Sequence, residues 1–138
     1  MNSLILLLGR ECIWSPESWA FEQGGESGIG GQVMIEGQSG WLSVLRDDQL
    51  LDDYDSEERA TLSAILDGSI SYFVEWNGSE IIEKFLRAVP ADHCVFVDND
   101  HGLVVPIRAV RDLPLETWIT ASSLPSAPPN LSIGDGQL

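Results

Sequence analysis

The chain has 138 residues, 43% of them hydrophobic and 21% charged, and its 22 acidic residues against 7 basic ones give a formal net charge of −15. This length suits one domain with a substantial core, and the composition is too apolar for an intrinsically disordered chain. We expect this protein to bind neither nucleic acid nor an anionic membrane directly, because the phosphate groups of both would repel its negative charge. The charge therefore predicts a cationic partner.

The chain starts with an apolar run that is too short for an export signal or a membrane span. Residues 4–8 read LILLL, with no basic residue before them and two charged residues directly after Gly9. A signal peptide needs an apolar region of about 7 to 15 residues, and a membrane span needs about 20. The run predicts a buried strand at residues 3–8. We expect a cytoplasmic protein in which Cys12 and Cys94 are reduced thiols, with a disulfide between them as the alternative.

Residues 9–31 are predicted to form a loop, because their second half is rich in glycine. Trp14, Trp19 and Phe21 are expected to hold the first half of this loop against the core. Two of its glycines have the spacing of a P-loop, but Gly31 stands where that motif requires lysine. We therefore expect a flexible connection that binds no phosphate.

The middle of the chain alternates between strand and turn patterns. Residues 32–36 and 41–45 predict two strands, with the turn EGQSG between them. Residues 70–76 alternate between apolar and polar positions and predict a half-buried strand. The residues expected on its buried face are Ile70, Tyr72, Val74 and Trp76.

Residues 80–89, EIIEKFLRAV, carry the most regular helical pattern in the chain. Apolar residues recur with helical spacing, Ser79 is a suitable N-cap, and Pro90 closes the helix. Two pairs of opposite charge lie four residues apart and are expected to form ion pairs on the outer face: Glu80 with Lys84, and Glu83 with Arg87.

Residues 94–97 and 103–107 predict two short strands joined by the tight turn DNDHG. The turn residues resemble the opening of a calcium-binding loop, but the position that requires a bidentate glutamate is occupied by Ala109. A hairpin turn uses Asp, Asn and Gly for backbone reasons, so we expect no calcium ion there.

The C-terminal part combines a short apolar segment with a polar tail. Residues 111–119, RDLPLETWI, predict a last short helix or a docked segment anchored by Trp118. The proline, serine and glycine content from residue 121 onward is typical of disorder. The sequence thus predicts one α+β domain at residues 1–120, with a mostly antiparallel or mixed sheet packed with two to three helices, and a disordered tail at residues 121–138.

Candidate catalytic and metal-binding residues are few. His93, Cys94 and His101 could bind zinc, but they flank opposite ends of one predicted strand and are not expected to converge. No serine lies in a GxSxG motif. We predict no catalytic residue, no metal and no cofactor. A small hydrolase or metal-dependent enzyme that uses Asp98, Asp100 and His101 is the alternative.

The most informative stretch is RDDQLLDDYDSEE at residues 46–58, which has seven carboxylates within twelve residues. It leads into a predicted helix at residues 55–68, whose dipole would stabilise carboxylates in the first turn. A solvated surface loop is one interpretation. The apolar residues among the charges instead favour an interface hot spot, toward which the net charge would steer a basic partner. The residues predicted to bind that partner are Asp47, Asp48, Leu50, Leu51, Asp52, Asp53, Tyr54, Asp55, Glu57 and Glu58.

Residues 71–110, SYFVEWNGSEIIEKFLRAVPADHCVFVDNDHGLVVPIRAV, are similar in style to the immunity proteins of bacterial contact-dependent growth inhibition and related polymorphic toxin systems. The resemblance implies an antitoxin that neutralises one cognate toxin domain, often a basic nuclease acting on tRNA or DNA. A carboxylate-rich surface could occupy the cationic cleft of such a nuclease, although binding outside the active site would also inhibit. A DNA mimic that inhibits another DNA-binding protein is a further alternative, and it would need carboxylates spaced along an extended surface.

Overall fold

The computed structural model describes residues 2–48, 55–57, 60, 70–91 and 95–124. Over these ranges the chain forms a seven-stranded antiparallel sheet with three α-helices, which confirms the predicted α+β class. The strands are β1 (Asn2–Leu8), β2 (Glu26–Ser27), β3 (Val33–Gly37), β4 (Gly40–Arg46), β5 (Ile70–Asn77), β6 (Val95–Asp98) and β7 (Val104–Pro106). The helices whose bounds are described are α1 (Pro16–Glu22), α2 (Ser79–Ala88) and α3 (Leu115–Trp118), and a 3-10 turn spans Ile107–Ala109.

The N-terminal strand lies inside the sheet, whose order is β2-β3-β4-β5-β1-β6-β7. Leu6 of β1 pairs with Tyr72 of β5 on one side and with Val97 of β6 on the other. Successive side chains of a strand point to opposite faces, and every residue from Leu4 to Leu8 is buried. Both faces of β1 are therefore covered, which explains why its sequence is a continuous apolar run and not an alternating one.

The main core lies between one face of the sheet and helices α1 and α2. Helix α1 packs on β3 and β4, and helix α2 packs on β4 and β5. On the sheet side, Val74 and Trp76 of β5 are buried as the alternation predicts. The largest fully buried side chains of this core include Trp76, Trp118, Phe85, Leu4, Leu6, Leu42 and Ile82.

The prediction of a loop throughout residues 9–31 is wrong at α1. Ser15 caps this helix by accepting a hydrogen bond from the Ser18 backbone nitrogen at 3.1 Å, and Pro16 opens its first turn. Serine at the N-cap followed by proline is a favourable helix start, because proline lacks the N–H that would have no partner there. The high glycine content of the following residues belongs to a separate, later loop, and the short strand β2 interrupts that loop.

Two of the three aromatic residues expected to hold this segment against the core do so. The rings of Trp14 and Trp19 both contact Phe85 of α2, with centroid distances of 6.0 and 5.3 Å. Phe21 is 49% exposed, so the prediction for this residue is wrong. Phe21 lies two residues after Trp19 on a 3.6-residue helical period and therefore faces away from the sheet.

Helix α2 is confirmed in position, but its start and its outer face differ from the prediction. Gly78 is the N-cap with a φ of 105°, Ser79 is the first helical residue, and no side chain caps the helix. A Cβ atom on Gly78 would lie 2.2 Å from the carbonyl oxygen of Ser39, so the close approach of the β3–β4 turn requires glycine. The four charged residues of the two expected ion pairs make no ion pair in the described structure.

The C-terminal segment packs against the domain up to Leu124. The predicted short helix is confirmed as α3, and the indole of Trp118 is buried. The Asn99 side chain donates a hydrogen bond to the carbonyl oxygen of Ala121 at 2.7 Å, and Leu124 contacts the core. Packing therefore extends past the predicted domain limit at residue 120. Most of the predicted tail, residues 125–138, lies outside the described residues.

Candidate partner-binding surface

Several loops meet at one end of the sheet. The strand ends found there are Leu8 of β1, Val33 of β3, Arg46 of β4, Ile70 of β5 and Val95 of β6. We call this region the acidic end and define it as residues 9–17, 28–32 and 46–48, which carry the carboxylates Glu11, Glu17, Asp47 and Asp48. The acidic stretch begins at this end, because β4 ends there at Arg46.

The start of the acidic stretch is held on the sheet by Ser71. The Asp47 backbone nitrogen donates to the Ser71 carbonyl oxygen at 3.0 Å, and the Ser71 hydroxyl donates to the Asp47 carbonyl oxygen at 2.8 Å. Ser71 is 1% exposed, so these bonds are shielded from competing water. They extend the β4–β5 pairing by one residue and hold Asp47, the first carboxylate of the acidic stretch, on the sheet.

Arg46 and Asp48 form an ion pair next to this anchor. The Arg46 Nε atom lies 3.0 Å from the Asp48 Oδ1 atom, and the two side chains are 49% and 69% exposed. The hydrogen bond from Arg46 and the charge of Asp48 raise the pKa of the guanidinium. Exposed pairs of this kind contribute little stability. The pair positions Asp48 at the surface and lowers the local excess of negative charge by one.

Tyr72 and Glu17 connect helix α1 to the sheet at the same end. The buried Tyr72 hydroxyl donates a hydrogen bond of 2.8 Å to the Glu17 Oε1 atom. Burial raises the pKa of Tyr72, and the hydrogen bond and the charge of Glu17 raise it further. Glu17 is thereby held in place as a hydrogen-bond acceptor. This bond connects the start of α1 to β5 at the acidic end.

We expect Tyr72→Phe to lower the free energy of unfolding by about 1 to 2 kcal/mol, because it removes a hydrogen bond to a charged acceptor. The raised pKa of folded Tyr72 means that this stabilisation is complete below the unfolded value of about 10 and declines above it. Urea unfolding at about pH 8 and about pH 11 should therefore show a smaller difference between wild type and variant at the higher pH. A difference that stays constant across this range would contradict the raised pKa, and a variant as stable as the wild type at about pH 8 would contradict the assigned bond.

The ten predicted partner-binding residues are only partly described. Asp47 is half-buried, and Asp48, Asp55 and Glu57 are exposed. Of the helix predicted at residues 55–68, the described positions 56, 57 and 60 are helical. The other six predicted partner-binding residues lie outside the described residues: Leu50, Leu51, Asp52, Asp53, Tyr54 and Glu58.

Two fully exposed isoleucines at the acidic end were not identified from the sequence. Ile13 and Ile29 have relative exposures of 102% and 108%. Ile29 lies in a turn closed by the hydrogen bond from the Gly28 nitrogen to the Gln32 carbonyl oxygen at 2.7 Å. Ile13 directly follows a turn closed by the hydrogen bond from the Cys12 nitrogen to the Gly9 carbonyl oxygen at 3.0 Å. The context SGIGG, in which Ile29 has only glycine beside it, was an available indication, whereas Ile13 lies between the apolar residues Cys12 and Trp14 and its exposure had no such signal. Both side chains are presented to solvent.

The turn that carries the alternative enzyme residues is stabilised by its own side chains. The Asp98 carboxylate accepts a hydrogen bond from the Asp100 nitrogen at 2.8 Å. The Asn99 side-chain oxygen accepts from the nitrogens of His101 and Leu103 at 2.8 and 3.1 Å. His101 is exposed, while His93 and Cys94 lie outside the described residues. Within the described ranges, no three or more His, Cys, Asp or Glu side chains are grouped so as to hold a metal.

The protein is an α+β domain whose acidic end carries the carboxylates Glu11, Glu17, Asp47 and Asp48 together with Arg10 and Arg46. Comparison of the chain with protein-family models, with curated proteins and with solved structures found no match. In the part of the chain that the structure describes, none of the helices is both long enough and apolar enough to cross a membrane.

Proposed function

We propose that this protein is a cytoplasmic immunity protein that binds a cognate toxin domain with a basic surface and neutralises it. The observation that carries the proposal is the run of seven carboxylates within residues 47–58 of the sequence, the first of which, Asp47, is held on the sheet by Ser71 at the acidic end. In a chain of net charge −15, this end combines negative charge with two exposed isoleucines. Apolar anchors within a charged surround are the composition expected of a tight protein interface.

A nuclease is the class of toxin that this surface would suit best. Its active-site cleft carries Lys and Arg to hold phosphates, and clustered carboxylates can compete for the same groups. The net charge of −15 would accelerate encounter with such a domain, by one to three orders of magnitude at low salt. Inhibition would need only occlusion, so this function requires no catalytic group and no cofactor.

The two alternatives have less support. An enzyme at the β6–β7 turn would use Asp98, whose carboxylate accepts a hydrogen bond from the turn backbone, and His101, which is exposed. A DNA mimic would need carboxylates at regular spacing along a long surface, whereas here seven of them lie within twelve residues of sequence. Neither alternative accounts for the exposed isoleucines at the acidic end.

Bacterial growth provides the direct test. The C-terminal domain of the protein encoded by the neighbouring upstream reading frame is induced, with and without co-expression of this protein. We expect growth to collapse when the domain is induced alone and to recover when this protein is co-expressed. Co-expression of an unrelated small acidic protein is the control, since it should not restore growth. A harmless neighbouring domain, or one that stays lethal despite this protein, would contradict the pairing.

A further inference from the structure

A cleft of about 450 Å³ lies between α1, the β3–β4 hairpin and α2, away from the acidic end. Its apolar part is formed by Trp19, Ile35 and Ile81, and its charged part includes Lys84 and Arg87. We call it the α1–α2 cleft. Its volume falls within the range of about 300 to 1,000 Å³ that is usual for small-molecule sites, which also combine an apolar surface with a few polar groups.

Among the residues that the structure describes, the two cations of this cleft have no charged partner. Neither Lys84 nor Arg87 makes an ion pair or a side-chain hydrogen bond. Glu80 and Glu83 lie four residues before them in the helix, where pairing is favourable, and acidic residues outnumber basic ones by 22 to 7 in the whole chain. Two of the few basic side chains therefore line a cleft with their charges available to a ligand carboxylate.

Three carboxylates line the same cleft, namely Glu36, Glu80 and Glu83. They would repel a simple anion, as would the net charge of −15. A simple cation would leave Lys84 and Arg87 unpaired. A ligand that carries one charge of each sign avoids both penalties, since its carboxylate can meet the cations while its ammonium group meets a glutamate.

We propose that the α1–α2 cleft binds a small zwitterion with a large apolar group, such as an amino acid with an aromatic side chain. The carboxylate of the ligand contacts Lys84 and Arg87. Its ammonium group contacts one or more of the three glutamates that line the cleft. The apolar side chain covers Trp19, Ile35 and Ile81. This site is separate from the acidic end and goes beyond the proposed function, so a result at one site leaves the other unaffected.

Three probes that share one ring test the charge requirement: L-phenylalanine, 3-phenylpropionate and phenethylamine. The backbone amides of α2 and the indole of Trp19 are followed by heteronuclear NMR during titration of the full chain. We expect L-phenylalanine to produce saturable shifts with a Kd of roughly 1 mM, as suits a ligand of this size. Each singly charged analogue should bind at least about tenfold more weakly.

A double variant, Lys84→Gln with Arg87→Gln, tests the residue assignment. We expect it to bind L-phenylalanine at least about tenfold more weakly, with an unchanged unfolding temperature because both side chains are exposed. Arg10→Gln removes an exposed cation outside the cleft and should bind as the wild type does. Equal binding of the three probes, unaltered binding by the double variant, or no saturable shift up to the solubility limit of L-phenylalanine would overturn the proposal.

Discussion

Reversing two charges in the middle of the acidic stretch, by Asp52→Lys with Asp53→Lys, is expected to weaken binding of the toxin domain by at least about 100-fold, or about 3 kcal/mol. The two positions are flanked on both sides by further carboxylates, so a cationic partner would meet repulsion where it now meets attraction. The unfolding temperature should stay the same or rise, because the change relieves repulsion between like charges. Calorimetric titration with the purified toxin domain, at low and high salt, measures the effect.

The control for this experiment is a second charge reversal at the other end of the sheet. Glu36→Lys with Glu80→Lys changes the net charge by the same amount, and both positions lie near the Gly37–Gly40 turn and the start of α2. We expect it to slow association slightly through weaker long-range steering, with a change in Kd below about tenfold. If both double variants lose affinity equally, net charge alone directs the partner. If neither loses affinity, the acidic stretch is not the binding site.

Replacement of Asn99 by alanine is expected to lower the free energy of unfolding by about 3 to 5 kcal/mol. The buried side chain donates hydrogen bonds to the carbonyl oxygens of Trp118 and Ala121, both at 2.7 Å. Its oxygen accepts from the nitrogens of His101 and Leu103. Alanine would remove all four bonds and leave buried backbone groups without partners, which is more costly than the loss of exposed bonds. Equilibrium unfolding in urea measures the change.

Two matched variants separate the parts of this effect. Asn99→Asp keeps the oxygen that accepts hydrogen bonds from the nitrogens of His101 and Leu103. Its second oxygen replaces the NH₂ group and faces the carbonyl oxygens of Trp118 and Ala121, so we expect this variant to be at least as destabilising as alanine. His101→Ala, at an exposed position of the same turn, should change stability by less than about 0.5 kcal/mol. A loss below about 1 kcal/mol for Asn99→Ala would show that this amide does not hold the C-terminal segment. Loss of a hydrolytic activity in His101→Ala would favour the enzyme alternative.

The acidic end differs from an ordinary charged loop because the structure beneath it is fixed. Hydrogen bonds from Ser71 and Tyr72 hold Asp47 and Glu17, and backbone hydrogen bonds close the turn that carries Ile29 and the turn that precedes Ile13. A binding surface that is already ordered loses less conformational entropy when a partner docks. This arrangement would allow modest contacts to produce a tight complex.

The elements of this fold were predictable where their patterns are local. The alternation in β5 and the helical repeat in α2 depend on side-chain periods of two and 3.6 residues, which neighbouring residues specify. The hairpin turn at residues 98–102 was predictable for the same reason, since Asp, Asn and Gly favour its backbone conformation. Helix α1 was missed, because the glycines that follow it outweighed a short start formed by Ser15 and Pro16.

The sequence by itself determined the α+β class, most strands and helices, and the excess of negative charge. The tertiary structure alone decided that β1 lies between β5 and β6, because pairing residues about 70 and 90 positions apart has no local signature. It also decided which loops share an end of the sheet, and so placed Ile13 and Ile29 at the same end as Asp47 and Asp48. Helical spacing alone predicted ion pairs for Lys84 and Arg87, and these pairs do not form in the part of the chain that the structure describes. Whether such pairs form depends on the packing around α2.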